Sequence, residues 1–165
     1  MIELMTAVSV VAILAALALP SYTESIKRQR LRVVVEAVVS DLRLAKADAF
    51  EQGARGSSTV EFSVNGGDAT NWSYTVTDAI DGLLVTRSSS GFAGSIAMAI
   101  TDFEDSDSDA LPDVTFTADR GLDSGGDGSI QLTIDASTSA TINRNLMGLL
   151  SVCSNDALGY PTCGS

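Results

Sequence analysis

Hydrophobic positions divide this chain into two regimes. From Ile2 to Leu19 only Glu3, Thr6 and Ser9 interrupt an apolar run of eighteen residues, which is just long enough to cross a bilayer as a straight helix. A helix without a polar face is hard to cover within a small domain, so the run is expected to lie in a membrane or among other subunits. Its start is acidic and it ends in Leu19-Pro20-Ser21-Tyr22, unlike the basic start and small-residue cleavage site of a secretory signal peptide. Pro20 lacks a backbone donor and biases Leu19 away from the helical region, so a kink or loosening is expected there. Ile26, Leu31, Val34, Val35, Val38, Leu42, Ala45 and Ala49 then recur at three- and four-residue spacing up to Gly53, a natural residue to follow a helix C-terminus. This predicts an amphipathic helix of about eight turns, and a rod of roughly 75 Å if both parts stack through the proline.

Past Gly53 the period changes to two. STVEFSV alternates at Val60, Phe62 and Val64, Gly66-Gly67 turns the chain, and NWSYTVTD alternates at Trp72, Tyr74 and Val76, the pattern of a hairpin. Further strands are expected at 83–87, 96–100, 114–117, 130–134 and 149–152. The fold class is therefore α+β: a long N-terminal hydrophobic helix, kinked or loosened near Pro20, packed on an antiparallel β-sheet head. Residues 1–24 are expected to form a protruding apolar stem and 25–165 the head, with half of the helix at 25–52 and the sheet at 53–165.

Charge is unevenly spread. Residues 1–52 carry six acids and six bases, so the whole net charge of −11 belongs to 53–165. An acidic body repels phosphate-rich partners, and nucleic-acid binding is not expected. Glu3 heads a stretch with no cation before Lys27. A carboxylate in apolar surroundings is costly, so its partner is either water at a membrane edge or a positive group on another copy. Cys153 and Cys163 are the only cysteines, and the chain has no histidine to complete a zinc or haem site with them. They are read as a disulfide closing a short surface loop, which implies an oxidising compartment.

The segment IELMTAVSVVAILAALALPSY resembles the N-terminal region of type IV pilins and type II secretion pseudopilins, whose mature chains begin Phe-Thr-x-Ile-Glu and run apolar to Pro-Ser-Tyr. The resemblance implies a pilin fold and assigns Glu3 to the N-terminal ammonium of a neighbouring subunit during filament assembly, with loosening at Ala12–Pro20. Aligning Glu3 with the family's glutamate makes Met1 the third mature residue, so the Phe-Thr pair and basic leader are missing from this chain. By the positive-inside rule Lys27, Arg28, Arg30 and Arg32 would place the C-terminal side inside; the family arrangement with an extracytoplasmic disulfide implies the reverse. That cluster is otherwise a solvated helix face, or a ring of charge matched to Glu24 and Glu36 of neighbours. SDLRLAKADAFEQGARG, NWSYTVTD, VTFTADRG and INRN…GLLSVCSNDALGYPTC are similar to H-type pseudopilins and minor-pilin relatives.

DFEDSDSDALPD places Asp105, Asp107, Asp109 and Asp113 at positions 1, 3, 5 and 9 of a loop, with the Leu111 carbonyl at position 7. Calcium takes six to eight oxygen ligands, and such alternate carboxylates repel one another without a cation. The pattern resembles the Asp-x-Asp-x-Asp-Gly-x-x-Asp repeats of calcium-binding surface proteins, with Ala110 in place of glycine. Ca²⁺ is thus the expected ion; a solvated acidic loop is the alternative. The acidic turn from Asp119 to Asp127 would complete the site or form a plain hairpin. Asn71-Trp72-Ser73 is a glycosylation sequon, with Trp72 expected in the core.

No histidine base, Gly-x-Ser-x-Gly elbow or phosphate loop is present, so an enzyme is not expected. The expected function is a structural subunit that polymerises through its N-terminal helix into a type IV pilus-like extracellular filament, with itself or other pilins as partners and the inner membrane as its anchor before assembly. Its alternatives are a minor subunit at a filament tip and a membrane-tethered calcium-binding adhesion module that never polymerises.

Overall fold

The computed structural model describes residues 2–53, 56–65, 67–103, 111–117, 127–145, 148–155 and 158–164; in the helix, the side chains of Ile2 and of residues 12–20 are not described. A single helix, α1 (Ile2–Glu51), is followed by β1 (Ser57–Val64), β2 (Trp72–Asp78), β3 (Gly82–Ser88), a 3₁₀ turn at Ser89–Gly91, β4 (Ala97–Thr101), β5 (Asp113–Thr117), β6 (Gly128–Asp135), β7 (Thr138–Arg144) and β8 (Leu150–Ser154). The strands form two four-stranded sheets, ordered β3-β2-β1-β5 and β4-β6-β7-β8, antiparallel at every pairing.

One face of α1 organises the core. Leu31, Val34, Val35, Val38, Leu42, Ala45 and Ala49 are all buried, on the stripe that the 3.6-residue period dictates. Against them the first sheet turns Val60, Phe62, Trp72, Tyr74, Val76, Val114 and Phe116, and the second turns Met98, Ile130, Leu132, Ala140 and Ile142. The helix touches β1, β2 and β5 of one sheet and β6 and β7 of the other, so it covers both. Trp72 donates its indole N–H to the Ile96 carbonyl at 2.7 Å, which satisfies its one polar atom inside the core.

Gly53 ends the helix with φ of +71°, where a residue without Cβ is cheapest. The next glycine is held by contact. A Cβ on Gly56 would stand 2.5 Å from both the Ala49 carbonyl oxygen and the Gln52 Cβ, so only glycine lets the chain turn from the helix end into β1.

The α+β class is consistent with the structure, but the pilin fold with a long hydrophobic N-terminal helix is corrected. No helix among the described residues is long and apolar enough to cross a membrane. The polar side chains of the run from Ile2 to Leu19 are Glu3, Thr6 and Ser9, and the side chains of residues 12–20 lie outside those described. Nor does Pro20 interrupt the helix, which is continuous from Ile2 to Glu51. A proline removes one hydrogen bond, and the neighbouring turns keep the helical geometry here. The head holds two sheets instead of one, and β7, whose TSATINR segment reads as largely polar, was not expected. Its Ala140 and Ile142 alternate into the core.

Candidate assembly surface

The helix divides by exposure at residue 31. Every described side chain from Glu3 to Ser25 is exposed, and burial of apolar side chains begins at Leu31. Leu4, Met5, Val8, Val10 and Val11 are between 56% and 75% exposed, an uncovered apolar surface on the N-terminal turns. The polar side chains among them are turned back: the Thr6 hydroxyl donates to the Glu3 carbonyl at 2.9 Å and the Ser9 hydroxyl to the Met5 carbonyl at 2.8 Å. Glu3 is exposed beside this surface and is the only charged residue before Glu24. Pro20 lies within the helix, in the stretch whose side chains are not described.

The basic cluster is largely engaged within its own chain. Arg32 Nε contacts Glu36 at 2.7 Å and Arg28 contacts Glu24 at 3.8 Å, each four residues along the helix, while Lys27 reaches Asp135 at 3.2 Å. The two glutamates expected to match neighbouring subunits thus pair locally.

Three further polar ties fix α1 to the head, and none of them was anticipated from the sequence. Asp41, buried in the middle of the helix, accepts from the Tyr74 hydroxyl at 2.8 Å and from Arg87 Nε at 3.0 Å. Burial, reinforced by Asp41, pushes the Tyr74 phenol far above its ordinary range, so it stays a donor. Asp48 accepts from the Ser58 hydroxyl at 2.6 Å, and Lys46 donates to the Gly148 carbonyl at 2.9 Å. The only warning in the sequence is an acid falling on the apolar stripe at position 41, next to Leu42.

Cys153 and Cys163 form the expected disulfide. It joins β8 to the C-terminal turn, which also pairs through the Ser154 amide and the Pro161 carbonyl at 2.9 Å. Closing a loop of this length contributes roughly 3 kcal/mol, and it holds Tyr160 beside Glu36, Val39 and Arg43 of the helix.

Of the expected calcium ligands, Asp105, Asp107 and Asp109 lie outside the described residues. Leu111 is half-buried ahead of β5, and Asp113 opens that strand, buried and in register with Glu61 of β1. Among the described residues no group of three or more His, Cys, Asp or Glu side chains converges on a common point. Asn71 of the sequon is exposed in the bend just before β2. An open cavity of about 670 Å³ lies between the sheet-two strand ends, lined by Asp102, Asp127, Asn143, Arg144 and Ser151 among others. Arg144 is buried there, its guanidinium 5.3 Å from the centre of the Phe116 ring; this packing anchors the cation to the core. No family model, curated protein or solved structure matches the chain.

Proposed function

We propose that this chain is a structural subunit that assembles with copies of itself, through the N-terminal part of α1, into a type IV pilus-like filament. The observation that carries the reading is the division of one continuous helix into a half that builds the core and a half with uncovered apolar side chains. Residues that stay exposed in a monomer at this density call for a covering surface. The lone carboxylate at Glu3 sets the register of that contact, because burying an acid without a cation opposite it is costly. The acidic heads then face the medium, and their like charge keeps them apart.

Electron microscopy of the full-length chain tests the reading. Wild-type protein is expected to form filaments and the Glu3→Ala variant to form none, with the head still folded. Filaments of undiminished length from Glu3→Ala, or a wild-type chain that stays monomeric at high concentration, would overturn it.

A further inference from the structure

A groove of about 330 Å³ opens where α1 enters the head, lined by Ile26, Gln29, Arg30 and Val33 of the helix and by Phe92 and Ala93 after the 3₁₀ turn. Its apolar walls are Ile26, Val33 and Phe92, and Val33 is exposed. Arg30 borders it, exposed. Its aliphatic chain runs past Gly94, where a Cβ would stand 3.5 Å from Arg30 Cδ. Unlike Lys27, Arg28 and Arg32, Arg30 makes no ion pair among the described residues. The groove therefore offers an apolar slot with one uncompensated cation.

We propose that this groove receives the first turns of α1 from a second copy of the chain, with Glu3 of that copy paired to Arg30. The inference rests on the assembly reading above and names its contact. The N-terminal turns have the complementary make-up. Leu4, Ala7, Val8 and Val11 share one helical face at three- and four-residue spacing, flanked by Glu3, the only charge in that part of the chain. The hydroxyls of Thr6 and Ser9 are already bonded to their own helix and ask nothing of the groove.

Among the described residues two other helix cations, Arg43 and Lys46, also lack an ion pair. Lys46 is taken by the Gly148 carbonyl, and Arg43 borders a notch that also contains Glu36, which would repel an incoming carboxylate, whereas the described lining of the Ile26–Val33 groove holds no acid. Glu3 and Arg30 are 27 positions apart, so two parallel helices in this contact are offset by about 40 Å. Each copy presents its own groove while its N-terminal turns occupy another. The contact is heterologous, and a heterologous contact that does not close on itself propagates into an open filament.

A charge swap in the full-length chain, read by sedimentation at fixed salt, tests the contact. Arg30→Glu and Glu3→Arg are each expected to weaken self-association by at least about tenfold, and the double variant Glu3→Arg/Arg30→Glu to restore it to within about threefold of wild type. Both positions are exposed, so an unchanged melting temperature serves as the folding control. Undiminished association of Arg30→Glu, or a double variant as weak as its parents, would overturn the proposal. If Glu3→Arg alone abolishes association, the groove is wrong and the assembly reading stands; if the wild-type chain never associates, both fall.

Discussion

Asp135 shows how one side chain closes a turn and ties two elements together. It ends β6, and its Oδ1 accepts from the Ser137 amide and hydroxyl at 3.1 and 2.9 Å and from the Thr138 amide at 2.9 Å. The other oxygen takes Lys27 Nζ at 3.2 Å. The Ser137 hydroxyl first, then Lys27 and the turn amides, hold this carboxyl well below the usual carboxylate range. A carboxyl whose folded pKa is depressed adds stability above its unfolded value and loses it as pH falls toward the folded one. Wild type is therefore expected to melt above Asp135→Asn at pH 7, and the difference to shrink as pH falls below about 4. Melting curves at pH 7, 4 and 2.5 check it; a gap that is constant or widens in acid contradicts the assignment. Lys27 was visible in the sequence only as part of a basic cluster, because its partner is 108 residues away and no local spacing encodes such a contact.

At the scale of elements, the tie between α1 and the first sheet is concentrated at Asp41. Replacing it by Ala leaves the Tyr74 hydroxyl, buried in the core, without its acceptor, and removes the carboxylate from Arg87. Arg87 is half-exposed and water can take over its solvation, so most of the cost lies at Tyr74. Asp41→Ala is expected to lose about 2 kcal/mol in urea unfolding, and Tyr74→Phe, which removes donor and demand together, to lose less. A loss below about 0.5 kcal/mol for Asp41→Ala would show the tie to be incidental. Helix and strands differ in how much of this the sequence revealed. The stripe from Leu31 to Ala49 and the terminating Gly53 were legible because helical periodicity and glycine chemistry are local. The hairpin of β1 and β2 was legible for the same reason. The split into two sheets was not, since it depends on β5 crossing back beside β1 while β4 leaves to pair with β6. The membrane-spanning length expected of the first helix is not met among the described residues, which leave out the side chains of 12–20. The disulfide followed from two cysteines and no histidine, whereas the acidic loop offers only Leu111 and Asp113 for comparison.

For the whole molecule, the exposure boundary on α1 makes the two halves of the helix separable in energy. Nothing described before Leu31 is buried, so the first 24 residues contribute little to the folding of the head. Among the described ion pairs their removal takes away Glu24–Arg28 on the surface, worth well under about 1 kcal/mol. It keeps Lys27 for Asp135 and Ile26 for the groove beside Phe92. A chain starting at Ser25 is expected to unfold within about 3 °C of the full-length protein, yet to remain monomeric at concentrations where the full-length protein associates. Calorimetry and sedimentation on the same samples give both readings. A large drop in melting temperature would mean that the N-terminal turns pack on their own head, and persistent association would place the interface elsewhere. The retention of fold with loss of assembly is the signature of a helix that serves its own domain with one half and another copy with the other.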